Sequence, residues 1–183
     1  MRRHGTFGII TGVFFISTVF SQQARIVTIV DTDMGLDDAR ALALLLCSPN
    51  IEIKAIVTSD GSSSPDEGYI NILRILNYMN KTPIPAGIGG TANPPPWREK
   101  SNTLGWAQWQ GPQEHGKNPP TALSIIKGAL NHENDPVVYI CLGPLTNLAE
   151  LLAKDKHSIT KISRVLYFGN APSSENRSWN TMR

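Results

Sequence analysis

The chain has 183 residues, of which 40% are hydrophobic and 17% charged, with a formal net charge of +2. That length and balance suit one domain with a substantial core and argue against a disordered chain. Removing the first 21 residues takes away Arg2 and Arg3 and no acid, leaving 15 basic against 15 acidic residues. No basic run or stripe survives, which argues against a general nucleic-acid binder.

The opening stretch, "MRRHGTFGIITGVFFISTVFSQQ", has a basic start, an apolar run from about residue 7 to 20, and small or polar residues around Ser21. This is the layout of a secretory signal peptide, and the apolar run is short for a spanning helix. The expectation is a signal peptide over 1–21, a mature chain over 22–183 exported to the periplasm or medium, and no stable membrane insertion after cleavage.

From residue 25 onward strand-like and helix-like blocks alternate. "RIVTIVDTD" (25–33) is β-branched and reads as a buried strand, followed by an Ala- and Leu-rich helix over 37–48. A strand over 51–60 precedes a helix over 64–80, which starts with Ser64 as N-cap, Pro65 in the first turn and Glu67 completing a capping box. Tyr69, Ile72, Leu73, Leu76 and Met79 recur at helical spacing and read as a core stripe.

A short strand and turn (82–89), a helix (121–133), a strand (136–143), a helix (145–155) and a segment ending in a strand (159–169) complete the series. This alternation predicts an α/β fold, a mainly parallel sheet with helices on both faces. Ligands of such sheets bind beyond the carboxyl ends of the strands, where the acid-rich "DTDMGLDD", "TSDG" and "CLGPLTN" all fall.

Residues 90–120 form the one long irregular stretch, carrying Trp97, Trp106 and Trp109. Stacking on a planar ligand and simple anchoring of the loop are equally open for these rings. Cys47 and Cys141, 94 positions apart, lie in apolar segments and outside any metal-spacing motif. Export permits a disulfide between them, but two buried small hydrophobes is the preferred reading.

The informative segment is residues 29–46, where Asp31, Asp33, Asp37 and Asp38 crowd into eight positions. Two like charges about 4 Å apart repel by roughly 4 kcal/mol at an effective dielectric near 20, so the cluster needs a counter-charge. Asp31 and Asp33 share a face in an extended segment. Gly35 allows a tight reversal, and Asp37 and Asp38 open a helix whose positive end favours them. Helix capping explains one or two of the four, and a hard cation such as Ca²⁺ or Mg²⁺ would neutralise the set. A metal-free acid/base pair and a solvated helix start remain the alternatives.

"DTDMGLDDARAL" resembles the Asp-x-Asp-Pro-Gly-x-Asp-Asp-Ala signature of the inosine-uridine-preferring nucleoside hydrolase family, and "LGPLTNLA" (142–149) resembles that family's Gly-x-Leu-Thr-Asn motif. The resemblance implies an enzyme that hydrolyses the N-glycosidic bond of ribonucleosides with Ca²⁺ in its site. It also implies a small-molecule ribonucleoside as partner, a Rossmann-like nucleoside hydrolase fold, and homo-oligomers. By position, Asp33, Asp38 and the carbonyl of Thr146 would bind the metal. Asp33 would take a proton from the attacking water, Asp37 would hold a ribose hydroxyl, and Asp31 would support the cluster from behind. The chemistry is coherent: a cation-like sugar forms as the bond breaks, and nearby carboxylates stabilise it.

Departures from the family pattern are clear. Met34 replaces the usual Pro, a mild change for a turn. Asp60 in "TSDG" stands near the family's ribose-contacting Gly-Asn pair, either as its substitute or as a turn cap. "NRSWN" (176–180) resembles the family's Glu-Phe-Asn ribose contact, with Ser178 and Trp179 at the first two positions and Asn180 matching the Asn. The resemblance covers about residues 25–183, the first half or so of a typical member. The absent part would supply a further metal-binding Asp and a His beside the leaving base. His115 reads as a surface loop residue in preference to a stand-in.

Weak or absent activity is therefore expected of this chain, whose domain is a partial one with its C-terminal part missing. Two alternatives stand beside the hydrolase: a non-catalytic module retaining a nucleoside or sugar pocket, and a Mg²⁺-dependent Asp-x-Asp phosphatase. Gly35 and the unexplained "GLDDA" disfavour the phosphatase.

Overall fold

A computed structural model of the chain describes residues 25–92, 114 and 116–168. In chain order the elements are β1 (Ile26–Thr32), α1 (Leu36–Cys47), β2 (Ile51–Thr58), α2 (Pro65–Tyr78), β3 (Ala86–Gly87), α3 (Ala122–His132), β4 (Val137–Cys141), α4 (Thr146–Lys154), a 3-10 turn (Ser158–Lys161) and β5 (Ile162–Tyr167). The five strands form one sheet in the order β3-β2-β1-β4-β5, and every neighbouring pair is parallel. The α/β architecture with a parallel sheet and helices on both faces is thus the one the alternation of blocks predicts.

The central strand β1 is buried on both faces from Val27 onward, which is why its sequence is nearly continuous in β-branched residues. On one side, Val30 and Ile56 of the sheet meet Leu42 and Leu46 of α1 and Tyr69, Ile72 and Leu76 of α2. The stripe at helical spacing on α2 is therefore core, with Leu73 and Met79 packed at its edge. Full burial of such a side chain is worth about 1.5–3 kcal/mol. On the other side Ile29, Val57 and Tyr139 pack against Ile126 and Leu130 of α3 and Leu148 and Leu151 of α4.

The start of α2 is fixed as its sequence dictates. Ser64 Oγ accepts from the Glu67 amide at 3.3 Å, and the Ser64 amide donates to Glu67 Oε2 at 3.4 Å. Pro65 occupies the first turn, where its missing N–H leaves no intrahelical bond unmade.

Two expectations need correction. Cys141 is buried but Cys47 is exposed, and both thiols are free. Cys47 follows Leu46, and the buried face of α1 runs through Leu42 and Leu46, so the next position falls outside it. The reversal after β1 also turns elsewhere than expected. Gly35 has φ −62°, whereas Met34 takes the left-handed φ of 54°. A proline ring holds φ near −65°, so this turn is one that the family's usual Pro could not adopt.

The expected signal peptide (1–21), Trp97, Trp106, Trp109, His115, Ser178, Trp179 and Asn180 lie outside the described residues. Among the described residues no helix is long and apolar enough to cross a membrane.

Candidate active site

The carboxyl ends of β1, β2 and β4 converge around the acid cluster. Asp31, within β1, is fully buried. Its Oδ2 accepts from the Tyr139 hydroxyl at 2.7 Å and its Oδ1 from Asn147 Nδ2 at 3.0 Å. Burial dominates over these bonds and, with the nearby Asp33, pushes its pKa up to about 7. The Ser59 hydroxyl lies close enough to favour the ionised form, yet it is buried without hydrogen-bond geometry to any partner among the described residues.

Asp33 follows the last residue of β1 and is 8% exposed. Its Oδ2 accepts from the Ser62 amide at 3.1 Å, and its carbonyl accepts from the Ser63 amide at 2.9 Å. The loop after β2 can wrap this closely only because residue 61 is glycine, where a Cβ would overlap the Asp33 carboxylate. Gly143, after β4, is equally constrained. A Cβ there would stand 2.6 Å from Ser59 Oγ and 2.8 Å from the Asp33 amide nitrogen.

Asp38 lies in the first turn of α1 and is 6% exposed. Thr32 Oγ1 donates to its Oδ2 at 2.6 Å while accepting from the Met34 amide at 2.9 Å, so one hydroxyl joins strand end, turn and helix start. Burial and then the adjacent Asp33 push the Asp38 carboxyl up to about 8. The structure thus brings Asp33 and Asp38 together, with Asp31 beneath them.

The other sequence-nominated positions are placed differently. Asp37 is exposed at the helix start. Asp60 is buried in the loop just after β2, and its Oδ2 accepts from the Ala92 amide at 2.6 Å. One of its oxygens therefore ties down the segment after β3. Thr146 is half-buried as the first residue of α4.

Side chains that sequence reasoning missed complete the arrangement. Asn147 Nδ2 also donates to the Thr58 carbonyl at 2.8 Å, so it bridges β1 and β2 from the start of α4. The Asn of "LTN" was a visible signal for it. Thr32, between the two aspartates, was another. Nothing local marks Tyr139, which reaches Asp31 through the parallel pairing of β4 with β1.

The donor chemistry at Asp33 and Asp38 fits a hard cation: two nearly buried carboxylates raise each other's free energy, and an oxygen-seeking divalent ion relieves that. Among the described residues no three His, Cys, Asp or Glu side chains form a group able to hold a metal. Backbone carbonyls, ribose hydroxyls and water would have to complete its shell.

The profile described as "Inosine-uridine preferring nucleoside hydrolase" matches residues 28–181. The chain is 36% identical over 150 residues to the pyrimidine-specific ribonucleoside hydrolase RihA of Salmonella schwarzengrund (strain CVM19633), an alignment that covers 78% of this chain and 48% of that protein. A plant nucleoside hydrolase, PpNRh1, superposes with a TM-score of 0.66 at 26% identity, over 80% of this chain and 48% of the other. An inosine-guanosine nucleoside hydrolase superposes with a TM-score of 0.68 at 26% identity, over 86% of this chain and 53% of the other. The chain therefore spans about half the length of the relatives it matches, and with the acid cluster at the end of β1 it belongs to the inosine-uridine preferring nucleoside hydrolase family, as its N-terminal part.

Proposed function

We propose that this chain carries the metal- and sugar-binding half of a calcium-dependent ribonucleoside hydrolase, which splits a nucleoside into ribose and free base. The observation that carries this reading is the meeting of Asp33 and Asp38, nearly buried, at the carboxyl end of the central strand. Asp33, Asp38 and the Thr146 carbonyl would hold Ca²⁺, which when bound supplies positive charge that orients and acidifies water.

Asp33 takes the proton of the attacking water. Its Oδ2 is steadied by the Ser62 amide, so the carboxylate is aimed before substrate arrives. Asp37, exposed at the rim, accepts from a ribose hydroxyl. Asp60, whose Oδ2 accepts from the Ala92 amide, and Asn180 are the further ribose contacts nominated by sequence. Asp31 holds the strand end in place through Tyr139 and Asn147. Export of the mature chain belongs to the same proposal, resting on the basic and apolar pattern of residues 1–21.

A second reading is binding without turnover. The family match leaves the phosphatase alternative without support. The test is release of ribose from uridine, cytidine and inosine by the purified chain, with Ca²⁺ and with a chelator. Calcium-dependent release, lost in Asp33→Asn, supports the hydrolase. A folded chain that binds Ca²⁺ and ribose but releases nothing is a binding module.

A further inference from the structure

The amino end of the sheet carries a cavity of about 260 Å³, between the starts of β1 and β2, the end of α1 and the turn after α2. β1 is 7 residues long, so roughly 20 Å of strand separates this cavity from the acid cluster. The floor is apolar: Leu46 and Ile53 belong to the core, and Leu45, Ile51 and Ile84 are half-buried against it. Arg25 and Lys81 stand at the rim, and Glu52 is the one acid of the lining.

The charges of this lining are unevenly matched. Glu52 Oε1 accepts from the Lys54 ammonium at 2.7 Å. Among the described residues neither the Arg25 guanidinium nor the Lys81 ammonium has an ion pair or a hydrogen bond. The backbone sets both cations in place. Asn80 takes the left-handed φ of 55° after α2, and the Lys81 amide donates to the Leu76 carbonyl at 2.7 Å, the bond that closes a Schellman turn. The Ile84 amide then donates to the Lys81 carbonyl at 3.0 Å, which brings the cation and an apolar wall of the cavity together. Next to Arg25, the Ile26 amide donates to the Asn50 carbonyl at 2.8 Å and ties the start of β1 to the entry of β2.

Two unmatched cations above an apolar floor select a ligand with the same division, an anionic head on an apolar body. An inorganic anion would leave the floor wetted, and a neutral hydrocarbon would leave both cations unanswered. An apolar cavity of about 150 Å³ accommodates benzene, so this one has room for a body on the order of ten heavy atoms. We infer that the amino end of the sheet binds a small amphiphilic carboxylate, its head between Arg25 and Lys81 and its chain over Ile51, Ile53 and Ile84. The site is separate from the candidate active site and does not rest on the hydrolase reading.

The test is calorimetry of the purified chain with octanoate, in a chelator so that the acid cluster holds no metal, beside octanol and acetate as probes of each half of the ligand. Saturable octanoate binding is expected, about tenfold or more tighter than either. Arg25→Gln and Lys81→Gln should each weaken it about threefold or more, while Lys154→Gln, at an ammonium paired with Glu150 on α4, should not. In methyl NMR spectra octanoate should shift Leu46, Ile51, Ile53 and Ile84 and leave Ile126 and Leu130, on the other face of the sheet, in place. Octanoate that does not bind, that binds no tighter than octanol or acetate, or that shifts other methyls instead overturns the proposal. So does a homodimer in light scattering that already covers these methyls, because the occupant is then a second copy. Attachment to anionic phospholipid vesicles without any response to octanoate overturns it as well, since the cations then serve a membrane surface.

Discussion

Asn147 and Asp31, 116 positions apart in sequence, meet at 3.0 Å at the carboxyl end of the sheet. The same amide nitrogen donates to the Thr58 carbonyl at 2.8 Å, so one side chain satisfies a buried carboxyl and a buried carbonyl at once. Asn147→Ala leaves both acceptors short of a donor, and a buried unsatisfied group costs about 1–3 kcal/mol. Urea unfolding should show a loss of at least that size. Asn147→Leu should be no better, because shape without a donor leaves the same acceptors unpaired.

The raised carboxyls make stability depend on pH. Asp31 stands at about 7 and Asp38 at about 8 in the fold, against 3.8 for both when unfolded. Between these limits the native chain holds more protons than the unfolded one, so the contribution is full below pH ~4 and is lost as pH rises through 7 and 8. The expected loss is on the order of 4 kcal/mol for a shift of this size. Thermal melts without metal should show a lower midpoint at pH 8.5 than at pH 6 on this account. Asp38→Asn should reduce that difference to the part that Asp31 carries, and added Ca²⁺ should offset it in the unaltered chain.

Asp33 is the residue on which the proposed chemistry turns. Asp33→Asn keeps the size of the side chain and an oxygen to accept from the Ser62 amide. The fold should therefore survive, with circular dichroism unchanged. Any ribose release should fall by about 10²–10⁴-fold, the usual worth of a positioned base. Unaltered turnover would remove Asp33 from the mechanism.

Gly61 tests how tightly the loop after β2 is fitted to the cluster. Its missing Cβ makes room for the Asp33 carboxylate. Gly61→Ala must push the two apart, at a cost on the order of 1–3 kcal/mol. Calorimetry with Ca²⁺ should show weakened binding, with a smaller effect from Gly90→Ala, where an added Cβ meets nothing within 4 Å.

Met34 sets two requirements against each other. Its φ of 54° is unfavourable for a residue with a side chain by about 1–2 kcal/mol. Yet the side chain is fully buried beside Leu42 and Tyr69, a burial worth about 1.5–3 kcal/mol. Met34→Gly should thus be close to neutral or mildly destabilising. Met34→Pro should be destabilised by more than 3 kcal/mol unless the turn rearranges, since its ring forbids this φ. Chemical denaturation of the two variants separates the cases.

Much of this architecture was legible because local patterns and tertiary demands agree. The capping box at Ser64 and Glu67, the stripe from Tyr69 to Met79, and the β-branched run of β1 each carry their own signal. The location of the acid cluster followed from strand–helix alternation. Hidden from the sequence were the relationships set by pairing between distant strands, such as Tyr139 on Asp31. Single-residue outcomes were also hidden: that Met34 and not Gly35 takes the left-handed conformation, and that Cys47 falls just outside the face through Leu46. For Asp60, motif position gave no sign of the bond its carboxylate accepts from the Ala92 amide.

Placing the earliest strand at the centre of the sheet has a kinetic consequence. The partners that bury Asp31 lie 108 and 116 residues further along the chain. At about 5–20 residues per second of synthesis, on the order of ten seconds pass before both exist. Until then β1 has only β2 beside it, its other edge is open, and the acid cluster is hydrated and fully charged. Long-range closure of this kind is slow, so the nascent chain spends its first moments unable to complete its own centre. Folding and formation of the site arrive together, late, when β4 slides in beside β1.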